Sequence, residues 1–285
     1  YELVKNNAMH LGTAKACEAI GASRTWYRVW LDRKPVQADA TLLNVIQDVA
    51  LMPRYGYRRV TAELRRRNFP VNHKKVLKTM QAHCLIVKKR VFKPRTTNSR
   101  HAFKKYPNLV KGLVVMGVNH VWAADITYVL LSNGSFVYLS SILDIFSRKC
   151  VGWSLGRTLE AEHSLNALRM AFECRRGVDL ARLVHHSDRG VQYACDEYVA
   201  MLNSRGVRIS MTESGDPREN AFAESFNKTV KYEEVYLSEY ASFEDAYENI
   251  ERFIEVVYNR KRLHSSIGYV PPDEFEQQFL SEAVS

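Results

Sequence analysis

Three carboxylates, Asp125, Asp188 and Glu224, stand at places in the chain where a divalent metal could be held. Asp125 falls inside VWAADITYV, a run otherwise made of apolar and β-branched residues. An acid there is costly to bury unless it is paired or bound to metal. Asp188 follows the short apolar run Leu183–His185 and precedes Arg189–Gly190, so it marks a strand end facing a turn. In open α/β sheets, ligands collect at such carboxyl ends. Glu224 belongs to a helix whose start is legible: Asp216 suits the N-cap, Pro217 the first helical position, and Glu219 can complete a capping box. At about 100° per residue, Phe222, Phe226 and Val230 share a face expected to pack on a sheet, while Glu224, Lys228 and Lys231 share the opposite one. Three hard oxygen donors suit Mg2+, with Mn2+ able to substitute. Two such ions about 3.5–4 Å apart can activate an attacking oxygen and stabilise a leaving one in an in-line phosphoryl displacement. The chain carries 31 acids, however, so spacing alone does not single out this triple.

The elements that must position these acids read as a mixed α/β domain. Val121–Leu131, Phe136–Leu143, Lys149–Leu155 and Val207–Met211 are rich in strand formers, and Asn133–Gly134 is a strong hairpin signal. Glu160–Arg176, Asp196–Ser204, Pro217–Tyr236 and Phe243–Asn259 have helical spacing. Strands first, then strands alternating with helices, imply an α/β fold with a mixed sheet.

The chain before this domain reads as all-helical. TAKACEAI (13–20) ends at Gly21, and Ser23 can cap a second helix in which Trp26, Tyr27 and Trp30 form one apolar face. The pair fits a helix-turn-helix, although a simple packing hairpin gives the same pattern. A second unit follows: TLLNVIQDVALM, a break at Pro53–Gly56, and two helices separated by Pro70, with Asn72 as cap of the second. Val60, Leu64, Val76, Leu77 and Met80 face inward, leaving Arg65, Arg66, Arg67, Lys74, Lys75 and Lys78 for solvent or phosphate. A second helix-turn-helix is expected here, with Asn72–Gln81 as recognition helix.

Net charge is +10, and its distribution is informative. Between Pro53 and Arg100 stand fifteen Lys or Arg and one acid, Glu63, so this segment carries +14 and the remainder nets −4. Such concentration draws a polyanion and releases its counterions. Five scattered cysteines (Cys17, Cys84, Cys150, Cys174, Cys195) form no C-x-x-C pair, and the histidines show no finger spacing, so neither a disulfide framework nor a zinc site is expected. No run approaches the roughly 18–20 apolar residues that span a bilayer, and no secretory leader pattern is present. A cytoplasmic protein, without membrane partners, is the expectation.

The local words narrow the reading. WAADITYV around Asp125, LDIFSRKCVGW (143–153), HHSDRGVQY (185–193), SMTESGDPRENAFAESFNKTVKYEE (210–234) and YNRKRLHSSIGYVPPDEF (258–275) closely resemble transposases of the bacterial insertion-sequence-three family, within the retroviral-integrase superfamily. The resemblance covers nearly the whole chain. It implies a ribonuclease H-like integrase core with a mixed five-stranded sheet over 116–285. Before it come helix-turn-helix units at 1–36 and 37–85 and a basic linker at 86–115. It implies that Asp125, Asp188 and Glu224 hold two Mg2+ ions and that Lys228 and Lys231 approach a DNA end. The implied partner is double-stranded DNA, as terminal inverted repeats and target, bound by a homo-oligomer. DNA contacts are expected from Arg58, Arg59, Arg65, Arg66, Lys74, Lys75, Lys78, Lys88, Lys89, Arg90, Arg260, Lys261 and Arg262. The implied reaction cleaves an element end and joins its 3′-hydroxyl to a phosphodiester. A metal-dependent nuclease that never joins, and a non-catalytic DNA-binding regulator, are the alternatives. The chain begins at Tyr1, and because relatives are often fused to an upstream frame, it is expected to be the downstream part or a trimmed form.

Overall fold

The computed structural model describes residues 2–31, 40–51, 55–86, 103–214 and 216–284. Lys88, Lys89 and Arg90 lie outside these residues. Helices α1 (Glu2–Leu11), α2 (Thr13–Ile20) and α3 (Arg24–Leu31) close on Val4, Ala16, Cys17 and Tyr27. Gly21 takes the left-handed conformation that ends α2 (φ 67°), which its missing Cβ permits. Tyr27 stacks on Trp30 at 5.9 Å between ring centroids, but Trp26 is 60% exposed. The apolar face expected of all three aromatics is therefore narrower: Trp26, adjacent to Tyr27 in sequence, is turned about 100° away from it.

Helices α4 (Ala40–Leu51), α5 (Tyr57–Arg66) and α6 (His73–Ala82) bury Leu42, Ile46, Val49, Tyr55, Val60, Leu64, Val76 and Met80 together. Asn72 caps α6, its side-chain oxygen accepting from Lys74 N–H at 2.9 Å. Leu263, from the far end of the chain, completes this core.

Among the described residues five strands form one sheet: β1 (Val121–Leu130), β2 (Phe136–Asp144), β3 (Cys150–Gly156), β4 (Val184–Ser187) and β5 (Arg208–Met211), in the order β3-β2-β1-β4-β5. The first three are antiparallel neighbours, while β4 runs parallel to both β1 and β5. Parallel pairing needs a crossover. Here α7 (Ala161–Cys174) lies between β3 and β4, and α8 (Val191–Ala194) with α9 (Asp196–Asn203) joins β4 to β5. Gly152 of β3 lets α7 approach, since a Cβ there would stand 2.2 Å from the Ala167 carbonyl oxygen.

Alternation along β1 divides its residues between two cores. Trp122 and Ala124 join Leu165, Leu168, Phe172, Tyr198 and Leu202 on the α7–α9 face. Val129 and Leu131 join Phe226, Val230, Ile250 and Ile254 on the other face, covered by α10 (Ala221–Glu233) and α11 (Phe243–Arg252). The chain ends in α12 (Pro272–Val284). Ser147 and Arg175 bond Glu276 of α12, fastening it to the β2–β3 turn and to the end of α7. This is an α/β, ribonuclease H-like core with a mixed sheet, preceded by helical units, as the residues led one to expect. Among the described residues no helix is long and apolar enough to cross a membrane.

Candidate active site

The site is built where β1 and β4 run side by side. Ala123 of β1 lies opposite His186 of β4. Carried two residues further, the same register sets Asp125 beside Asp188, just beyond the last residue of β4. The Asp188 carboxylate accepts the Gly190 N–H at 2.9 Å, which holds the turn. A Cβ at residue 190 would crowd that same oxygen at 2.9 Å, so the glycine keeps the carboxylate in place.

Asp125 is partly buried and faces α10. Its carboxyl is pushed up to about 7, chiefly by burial and then by the negative charge of Asp188, with a smaller push from Glu224. The Ile126 N–H and the Asn227 amide work in the opposite direction. Asn227 Nδ2 donates to Asp125 Oδ2 at 2.8 Å. Ser141, Asp125's partner across β2, donates to Asn227 Oδ1 at 3.4 Å. Asn220 Nδ2 donates to the Ala124 carbonyl at 2.9 Å, so two asparagines from the α10 segment bracket the acid. Asn227 did not stand out in the sequence. The signal was present in the spacing, since Asn227 lies one turn beyond Glu224 on the strip between its buried and exposed faces.

Glu224 sits in the first turn of α10, exposed, with its carboxyl raised by partial burial and by Asp216. Asp125 and Asp188 are thus brought together, and Glu224 adds a weaker push on Asp125. Among the described residues no three His, Cys, Asp or Glu side chains stand close enough to hold a metal ion unaided. Lys228 is exposed. Lys231 is half-buried, its Nζ 4.2 Å from the centre of the Tyr128 ring. Burial pushes its amine down, while the charge of Asp125 opposes that shift.

The start of α10 differs from the sequence reading in two respects. Asp216 does cap, accepting the Arg218 N–H at 2.9 Å, but a 3-10 turn over Pro217–Asn220 precedes the α-helix. Glu219 does not reach back to Asp216; its carboxylate accepts from the N–H of Glu213 and from the N–H and hydroxyl of Ser214. The acid secures the loop before the helix and closes no capping box. The packing face is also shifted: Ala223, Phe226, Asn227 and Val230 are buried, while Phe222 lies at its edge, 38% exposed beneath the Arg148 guanidinium at 4.2 Å. Of the paired histidines, His186 supports this region and His185 faces the opposite side of the sheet. His186 bridges Ser210 Oγ at 2.9 Å and the Glu219 carbonyl at 3.0 Å. His185 meets the Tyr198 hydroxyl at 3.0 Å, and burial holds its ring down to about 3.

The basic residues fall into two sets. Arg58, Arg65, Lys74, Lys75, Lys78 and Lys261 are exposed, and so is Arg260, which lies 3.7 Å from Asp273. The others are turned onto acids. Arg262 is buried and grips Glu233 with two bonds of 2.7 Å, a structural ion pair where the sequence suggested an exposed cation. Arg59 also faces Glu233, at 3.4 Å, and Arg66 pairs with Glu274 through bonds of 3.1 and 2.6 Å. Sequence spacing put these three on a basic surface; each has an acidic partner, and Arg66 stays exposed beside its own.

The sheet order and the parallel β1–β4 pair are those of a ribonuclease H-like core, and similarity to known proteins makes it the integrase-type core of a DDE-type polynucleotidyl transferase. Two models described as "Integrase core domain" match residues 116–217 and 205–272, and one described as "HTH-like domain" matches residues 37–93. The chain is 33% identical to an uncharacterized 31 kDa protein of insertion element IS600 from Shigella sonnei, with 92% of this chain and 98% of the relative covered. It is 33% identical to the transposase for insertion sequence element IS904 from Lactococcus lactis, covering 79% and 88%. Transposase InsF for insertion sequence IS3A from Escherichia coli is 29% identical, with 99% of each chain covered. The chain belongs to the insertion-sequence-three family of transposases.

Proposed function

We propose that this transposase cleaves the ends of its element and joins the exposed 3′-hydroxyl to a phosphodiester at a site formed by Asp125, Asp188 and Glu224. The observation that carries the reading is the 2.8 Å bond from Asn227 to Asp125, which ties the helix bearing Glu224 to the strand bearing Asp125, next to Asp188. A carboxylate raised by burial and by a neighbouring carboxylate, beside a parallel strand pair, suits a divalent cation, which would favour the charged forms. All three donors are hard oxygens, so they fit Mg2+ or Mn2+. When bound, a pair of such ions supplies activation of the attacking oxygen and stabilisation of the leaving one.

The protein's own residues do the positioning. Asn227 fixes one oxygen of Asp125. Gly190 and the turn after β4 orient Asp188. Lys231, desolvated against Tyr128, and the exposed Lys228 face a DNA end along the same side of α10. In cleavage, water oxygen bonds to the phosphorus and the 3′-oxygen leaves. In joining, that 3′-hydroxyl oxygen bonds to a second phosphorus and displaces another 3′-oxygen, so no bond forms between protein and DNA. The helix-turn-helix units take the terminal inverted repeats through Lys74, Lys75, Lys78, Arg58 and Arg65, with Lys261 and Arg260 nearby. Holding two ends at once calls for more than one copy on the DNA. The reaction belongs in the bacterial cytoplasm, at the nucleoid.

The test is joining from pre-cleaved ends. Duplexes that carry the parent element's terminal sequence with a free 3′-hydroxyl, incubated with the chain and Mg2+, should give joined product. Cutting of intact ends without any joining of pre-cleaved ones would make the protein a nuclease and overturn the reading.

A further inference from the structure

The far end of α10 holds a second charge cluster that the reaction leaves unused. Glu233 is the last residue of the helix, and its side chain is 8% exposed. An acid there stands at the unfavourable end of the helix dipole and is buried besides, so it requires compensation. Two arginines from distant parts of the chain supply it. Arg262 holds both carboxylate oxygens, through Nε and Nη2. Arg59 of α5 reaches Oε1 from the helix-turn-helix unit.

Contacts run from this cluster back toward the acids. Arg262 lies 5.7 Å from the centre of the Tyr258 ring, and Tyr258 packs edge-on against Phe226 at 4.7 Å, two residues from Glu224. The helix-turn-helix unit is seated on the same seam. The Tyr55 hydroxyl donates to the Lys261 carbonyl at 3.2 Å and accepts the Leu263 N–H at 2.8 Å, while Leu263 enters the unit's own core. A cation of a DNA-binding unit turned inward onto the helix of Glu224 is not what phosphate binding asks for.

The geometry points to Arg59 as a positioning residue for DNA joining: through Glu233 it makes the placement of α10, and with it Glu224, depend on how the helix-turn-helix unit is seated on the core. The inference rests on the assignment of Glu224 above. A helix transmits displacement as a rod, and Glu233 stands roughly 13 Å along the axis from Glu224 at 1.5 Å per residue. A misplacement of about 1 Å at a reacting centre can cost on the order of a hundredfold in rate.

The experiment uses the full chain, Mn2+, and a duplex of the parent element's terminal sequence with a pre-exposed 3′-hydroxyl. Arg59→Gln, Arg59→Lys and Glu224→Gln are compared with the unaltered chain for end binding, joining rate at saturating DNA, and the Mn2+ concentration giving half-maximal joining. Arg59→Gln should bind the end normally, join about tenfold or more slowly, and need severalfold more Mn2+. Arg59→Lys, which keeps the charge, should fall between it and the unaltered chain. Unchanged joining and Mn2+ dependence in Arg59→Gln overturns the inference, as does weaker end binding with an unchanged rate once bound, which would make Arg59 a DNA contact. If Arg59→Gln does not fold, Arg59→Lys decides: an unaltered rate and Mn2+ requirement overturns. Joining by Glu224→Gln would instead sink the assignment of Glu224, and this inference with it.

Discussion

The two ends of α10 treat charge in opposite ways. At its start, Glu224 joins Asp125 and Asp188, like charges that raise the Asp125 carboxyl to about 7. At its end, the carboxylate of Glu233 sits between Arg262 and Arg59. The second arrangement is matched within the fold and serves packing and orientation. The first is mismatched within the fold, and a fold keeps such a mismatch where something bound supplies the opposite charge. On the proposed assignment, one helix therefore carries a structural ion pair and a ligand site about two and a half turns apart.

Mutation should separate the two ends sharply. Glu233→Ala strands the buried Arg262, and the loss should be about 3–5 kcal/mol in denaturant unfolding. Glu224→Ala removes an exposed side chain and should stay within about 0.5 kcal/mol. Equal costs at the two ends would break the comparison.

A smaller effect should appear in pH dependence without divalent cations. The Asp125 carboxyl keeps its proton to about 7 in the folded chain, against an ordinary value of 3.8. The folded state then binds the extra proton between these limits, so this group's contribution to stability falls as pH rises through the window. His185, held down to about 3, and His264, held down to about 2, act in the opposite sense below 6.5. Both remain in Asp125→Asn, so the difference between the chains isolates Asp125. From pH 4 to 7 the stability of the unaltered chain should decline relative to the variant, then level off. A flat difference would remove the mismatch.

The smallest effect on the fold should come from the exposed lysines of α6. Alanine at Lys74, Lys75 and Lys78 should change stability by no more than about 0.5 kcal/mol each. DNA affinity should fall, with a shallower dependence on salt. An unchanged salt slope in filter binding would place the DNA elsewhere.

Much of this arrangement was legible in the residues. The strand around Asp125, the hairpin at Asn133–Gly134 and the Asn72 cap follow from local pattern, because period and capping chemistry are local. What local pattern could not supply was the partner. Arg262 reads as one of a basic run, and only the chain's return past α10 shows that it is buried on Glu233. Glu219 fits a capping box by spacing, yet the 3-10 turn aims it at Ser214. Asn227 turns inward and Phe222 lies at the edge of the buried face, because tertiary packing and not the wheel decides which strip of α10 meets the sheet.

The most direct test of the site is joining by variants that keep shape and lose charge. Asp125→Asn, Asp188→Asn and Glu224→Gln, each given pre-cleaved ends in Mg2+, should bind the ends like the unaltered chain and yield no joined product. Joined product at the unaltered rate from any one of them would contradict the three-carboxylate site.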